Sequence, residues 1–183
     1  MKAAVYYGIG DMHVEDVEKP KIGAGELLVC VHVCAICGGD LRTLRRGHPK
    51  IHPPVILGHE FVGVVAEAGK DESCRVGKRV VVAPAVGCGV CAYCRAGHTH
   101  LCAQRETIGF SMDGAFAEYV RIPARAVTLG NVQRIPAEVD DLAAAITEPL
   151  ACVVNGQEEL HIDATDVVAV IGAGAYALHE ARI

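Results

Sequence analysis

The chain has no tryptophan in its 183 residues, and aromatic side chains make up only 4% of it. Its core must therefore be built from Val, Ile, Leu and Ala, which the 51% hydrophobic content supplies. Positive charge is also short: 17 Lys and Arg stand against 22 Asp and Glu, a formal net charge of −5. Nucleic acid selects for basic faces, so this balance argues against such a partner. Long apolar runs are missing too. The longest, Val167 to Leu178, has twelve residues and two glycines, whereas a bilayer span needs about 20. No targeting segment opens the chain, because Met1-Lys2 leads straight into "AAVYY". The expectation is a soluble, cytoplasmic protein of one substantial domain, or one domain plus a fragment, away from membranes.

Cysteine is plentiful, with nine residues. The odd number and the lack of a leader argue against a disulfide framework. Reduced thiols, several of them on metal, are the better reading.

The first hundred residues read as short strands broken by Gly and Pro. "KAAVYY" and "MHVEDVE" pair through "GIGD"; "ELLVCVHVCAI", "FVGVVAEAG" and "KRVVVAP" follow. "FAEYVRIP" and "AVTLG" continue the pattern after Gly114. Strands at this spacing predict a barrel-like or sandwich β-domain. Helix is expected over "GGDLRTLRRGH", ending near Gly47, and over "VDDLAAAITEPLACVVNG". Pro149 disfavours helix at the residue before it, so Glu148 is expected at a break between two helical segments.

The loop "GCGVCAYCRAGHTHLC" places Cys88, Cys91, Cys94 and Cys102 as C-x2-C-x2-C-x7-C. Four thiolates in one short loop match the closed tetrahedral coordination of a structural zinc. Glycines at 87, 89 and 97 let the backbone fold round an ion. An iron–sulfur motif would continue with x3-C-P, which is absent, and a zinc ribbon would have two separated C-x2-C knuckles. Cys37 and His59 are less telling. Singly, one reads as a small buried apolar residue and the other as a hydrogen-bonded core histidine.

Taken together, "CGGD", "GHE", "GCGVCAYCRAGHTHLC", "DGAFAEYV", "EPLA" and the terminal "VIGAG" resemble the zinc-dependent medium-chain alcohol dehydrogenases. The likeness, closest to the polyol- (sorbitol-) or threonine-dehydrogenase-like branch, covers essentially the whole chain in the family's order and spacing. It implies a mainly β fold with short helices: a GroES-like β-barrel catalytic domain over 1–160, then the first βα of a truncated Rossmann α/β domain over 161–183. It also implies two zinc ions, one structural and one catalytic. Cys37 and His59 would ligate the catalytic zinc, and Glu60 and Glu148 are both candidates for the next place. Asp40 would hydrogen-bond the ligating His59 and fix its tautomer. Cys152 follows closely after Glu148 but does not match the family's ligand position, and it reads as core. The implied reaction transfers hydride from a small alcohol or polyol to NAD or NADP, with zinc favouring loss of the hydroxyl proton. Family members are commonly dimers or tetramers.

Two positions depart from that pattern. Where most members carry a Ser or Thr that passes the substrate proton outward, this chain has Gly39. The position that often holds a relay His is Arg42, with Thr43 nearby. The cluster of Arg42, Arg45, Arg46, His48 and Lys50 reads as a solvated helix face rather than a phosphate site.

The last segment, "DVVAVIGAGAYALHEARI", reads as a buried strand, a glycine turn and a helix start. Gly172, Gly174 and Ala177 form G-x-G-x-x-A in the context a dinucleotide site requires. Tyr176 is bulky for that position. A βαβ unit takes about 30 residues, so a second strand and a ribose-binding acid are not expected here. The chain alone is expected to bind zinc with little or no dehydrogenase activity. The alternative reading is a zinc-stabilised β-domain that serves as a binding or interaction module.

Overall fold

The computed structural model describes residues 1–70, 72, 75–163, 165–172 and 174–180. β1 (Lys2–Gly8) and β2 (Asp11–Asp16) form the expected hairpin. Gly10 at φ 72° lets the chain reverse between them. β3 (Leu27–Ala35) is followed by α1 (Gly38–Arg46), β4 (Val55–Ile56), β5 (Glu60–Ala68) and β6 (Arg79–Val82). Next come β7 (Ala85–Val86), α2 (Ala92–Arg95), β8 (Glu106–Thr107), β9 (Tyr119–Ile122), α3 (Ala124–Thr128) and β10 (Val132–Arg134). The helices α4 (Asp141–Ala145), α5 (Thr147–Leu160) and α6 (Ala175–Glu180) complete the order.

One sheet runs β10-β6-β5-β3-β9, a second β2-β1-β4, and a third pairs β7 with β8. Together they form the expected mainly β fold. The main core joins Leu27, Val29, Val65, Val80, Val120 and Ile122 around a single buried aromatic, Phe61. Each fully buried aliphatic side chain contributes on the order of 1.5–3 kcal/mol. Stability is therefore spread over many small contacts, as the scarcity of aromatics requires.

Three expectations need correction. "AVTLG" is not a strand: Ala124–Thr128 form the short helix α3, with Pro123 as its N-cap and Ala126 and Val127 turned into the core. Proline at that cap and Gly130 beyond set a turn too short for a ladder. The break in the later helix lies at Ile146, not Glu148. Pro149 sits in the first turn of α5, where its missing N–H would have had no partner anyway. Cys152 is exposed rather than core, and Val153 takes the buried place.

Residues 166–171, expected to be a buried strand, pair with no strand among the described residues. Val167 and Ile171 are fully exposed. Helix α6 does form after the glycines and packs on α5. Ala173 and residues 181–183 lie outside the described residues.

Helix α4, and so the start of α5, is fastened to the barrel by charge. His32 Nδ1 lies 2.8 Å from Asp141 Oδ2, and Arg79 Nε donates to Asp141 Oδ1 at 3.0 Å. Arg79 also donates to the Val139 carbonyl at 2.7 Å. His32 and Arg79 hold the Asp141 carboxyl below its usual range. The arginines of α1 and Lys50 are exposed, as read from sequence. Among the described residues no helix is long and apolar enough to cross a membrane.

Candidate functional site

The antiparallel register of β3 and β5 pairs Ala35 with Glu60. Cys37 therefore lies just past the end of β3, and His59 just before β5 begins. Donor atoms of Cys37, His59 and Glu60 come within 4.8 Å of one another. The local chain makes this arrangement stiff. Cys37 is the N-cap of α1, its Sγ accepting from the Gly39 amide at 3.3 Å. Asp40 answers by accepting from the Cys37 amide at 2.9 Å through Oδ2. This is a capping box with Cys in the hydroxyl's place.

The other Asp40 oxygen faces His59, with Oδ1 3.5 Å from Nδ1. That separation is coulombic rather than a hydrogen bond, and the buried Nδ1 has no hydrogen-bond partner. Asp40, His59 and Glu60 are each nearly inaccessible to solvent. Buried carboxylates at this density need a compensating cation. Burial works against the imidazolium, yet Asp40 and Cys37 outweigh it and hold the His59 pKa up at about 10. Cys34, behind the site, is pushed up to about 12 by burial and by Asp40 and Glu60. One sulfur, one imidazole and a carboxylate around an anionic hollow fit a zinc ion.

Glu148 lies outside the 4.8 Å grouping but faces it from the first turn of α5. Burial raises its pKa, His59 lowers it and Glu60 raises it. Three neighbours were not legible as site residues. The Phe110 ring lies 5.2 Å from the His59 ring, and His48 meets the same phenyl edge-on at 5.3 Å. The Tyr176 hydroxyl is pushed up to about 12, first by burial and then by Glu148, Cys152, Cys37 and Glu60. Phe110 precedes the "MDGAF" turn, and no periodicity marks it. Of the relay candidates, Arg42 is exposed and Thr43 is buried. Gly39 offers the cluster only its amide.

The second grouping is the loop of Cys88, Cys91, Cys94 and Cys102, whose sulfurs also lie within 4.8 Å of one another. Cys88 and Cys94 are 3.9 Å apart. Two sulfurs about 2.3 Å from one tetrahedral ion stand about 3.8 Å apart, so the spacing fits zinc. The amides of Cys88, Cys91 and Cys94 each donate to a neighbouring sulfur. Amides of Val90 and Cys91 lower the Cys88 pKa to about 6. The Gly89 amide favours the Cys94 thiolate, but burial and the other three sulfurs raise that pKa to about 11. Four thiolates cannot share this hollow without a cation. Gly87 is needed here because a Cβ would meet Cys94 Sγ at 2.7 Å.

Gly172 and Gly174 are exposed, Gly172 at φ 119°, and Ala177 is half-buried on α6. They share no cluster with the metal-type residues.

Comparison with known proteins agrees with this geometry. Residues 23–134 match the alcohol dehydrogenase GroES-like domain. The chain is 37% identical to a sorbitol dehydrogenase of Halalkalibacterium halodurans, covering all of this chain and 53% of the relative. It is 38% identical to an L-threonine 3-dehydrogenase of Streptomyces avermitilis, covering 92% of this chain and 48% of that one. Among solved structures, a zinc-binding dehydrogenase from Sinorhizobium meliloti bound to NADP superposes with a TM-score of 0.87 at 38% identity. That match covers 98% of this chain and 51% of the other. Galactitol-1-phosphate dehydrogenase from Escherichia coli gives 0.89 at 27% identity, again over 98% and 51%. The chain thus spans about half the length of the relatives it matches. With both metal-type groupings standing on a barrel of that shape, the chain belongs to the alcohol dehydrogenase family, through its GroES-like domain.

Proposed function

We propose that residues 1–160 form the catalytic domain of a zinc-dependent oxidoreductase that passes hydride from a secondary alcohol or polyol to NAD(P). The observation that carries this is the meeting of buried His59 and Glu60 with Cys37, their donor atoms within 4.8 Å of one another. Zinc held there supplies Lewis acidity that brings loss of a hydroxyl proton near neutral pH. Cys37 and His59 hold it, with Glu60 or Glu148 as the carboxylate donor. Asp40 holds the Cys37 backbone by a hydrogen bond and faces the His59 ring electrostatically. The Phe110 ring packs against the imidazole at 5.2 Å. Cys88, Cys91, Cys94 and Cys102 hold a structural zinc. Residues 161–183 begin the dinucleotide domain, with Gly172, Gly174 and Ala177 at the pyrophosphate. Sorbitol and threonine, which name two relatives, are the substrates to try first.

The unpaired segment 166–171 favours a second reading for the chain by itself, a zinc-stabilised β-domain without hydride chemistry. Metal content separates the two. The purified 183-residue chain is expected to carry two zinc ions and to give no NAD(P)+ reduction with either substrate. His59→Gln should drop the zinc content to one. A wild-type content of one would favour the second reading, and robust turnover would refute the expected inactivity.

A further inference from the structure

A cleft of about 490 Å³ separates the β6–β10 end of the large sheet from the first turns of α5. Val81 and Val82 of β6 and Ala144 and Ala145 of α4 give it apolar walls, and Ala151 of α5 also lines it. It contains none of Cys37, His59 or Glu60, and no cysteine of the loop. Apolar walls with a few placed polar groups, at this volume, are the usual make-up of a small-molecule site.

The placed polar group is Asn131, which lines the cleft and is only 7% exposed. Its backbone is fully engaged. The N–H donates to the Ala126 carbonyl, and the carbonyl accepts from the Ala83 N–H, both at 2.9 Å. Side-chain Nδ2 donates to the Ala83 carbonyl at 2.8 Å and to the Ala85 carbonyl at 2.9 Å. Both of those partners can only accept, so the amide cannot be turned the other way. Oδ1 is then the one polar atom of Asn131 that no donor reaches among the described residues. An acceptor fixed in this way beside apolar walls calls for a donor.

We infer that this cleft binds a small, largely apolar molecule without negative charge, which donates one hydrogen bond from an N–H or O–H to Asn131 Oδ1. The charge follows from the lining. It holds the Glu148 carboxylate and no Lys or Arg, so an anion would be buried without compensation. The site lies apart from both metal groupings and does not depend on the zinc reading.

Indole is the probe, because it joins an apolar ring to one N–H. The chain has no tryptophan, so indole fluorescence is read without background. Titration with the zinc-loaded 183-residue chain should shift that emission to the blue. N-methylindole has the same ring without the donor. It should bind at least ~5-fold more weakly, the lower end of what an unsatisfied buried acceptor costs. Indole-3-acetate should also bind more weakly than indole. Ala151→Phe fills the cleft from an exposed position and should abolish the shift, with an unchanged urea midpoint reporting an intact fold. No blue shift, or one that survives Ala151→Phe, would overturn the site. Equal affinity for indole and N-methylindole would overturn the contact to Asn131, and equal affinity for indole-3-acetate would overturn the exclusion of anions.

Discussion

Replacing Gly114 with alanine is expected to cost the barrel at least ~3 kcal/mol, the top of the usual range for overpacking. An added Cβ would meet the Gly58 carbonyl oxygen at 2.2 Å, and both the Gly109 Cα and the Leu57 carbonyl oxygen at 2.6 Å. All three are backbone atoms, so no side chain can swing aside. Relief would have to pull residues 56–58 away from 114–116. Three hydrogen bonds tie those segments: Gly114 to Ile56 at 2.7 Å, and Ala115 to Gly58 and Phe116 to Leu57, both at 2.9 Å. Gly58 itself needs φ 91° and has Phe116 against its own missing Cβ. His59 and Glu60 follow directly, so the damage should reach the metal centre as one lost zinc. Urea denaturation with zinc analysis reads both effects, and an unchanged midpoint would sink the argument. Gly156→Ala is the control. It lies in α5 with open space around it and should gain ~0.5–1 kcal/mol from lower unfolded-state entropy.

The second large effect is expected from Cys94→Ser. Helix α2 and the 3-10 turn Thr99–Leu101 bury none of their residues. Apart from buried Cys102, the loop has little apolar contact to order it. Its structure must therefore come from the metal, whose apparent contribution in small zinc-binding peptides is ~10–16 kcal/mol. Loss of one sulfur should lower the zinc content by one and open the loop. The barrel should stay folded, because Val86 and Ile108 on either side remain in the main core. Trypsin then gains access to Arg95, at the end of α2. Unchanged zinc content together with resistance at Arg95 would show that the loop is held by something else.

Features set by short spacing were legible in the sequence; those set by distant packing were not. The four cysteines act within one loop, so counting intervals was enough. Cys37 and His59 carry no such signal. Only the likeness of "CGGD" and "GHE" to a family joined them, and the β3–β5 register supplies the physical reason. "AVTLG" looked like a strand because Val and Thr favour extended chain, but two flanking turn residues and the burial of Ala126 and Val127 decided for helix. Pro149 marked a break correctly in kind and wrongly in place, since proline is tolerated in a first turn. Phe110 meets the His59 ring from a separate segment, and nothing local to it says so.

The two metal groupings differ in how far apart their members lie along the chain, and that sets when each can act. Cys88 and Cys102 are 14 positions apart. Closing so short a loop costs little entropy, so the collapsing chain can already capture an ion there. The Cys37 centre exists only after β3 and β5 have zipped to the Ala35–Glu60 end of their ladder. Non-local pairing of that kind is the slow part of β folding. Metal thus serves as a nucleus at one place and as a lock on the finished barrel at the other. Refolding in the presence of cobalt should show two uptake phases, the thiolate-rich one first and the second keeping pace with barrel formation; a single shared rate would contradict this order.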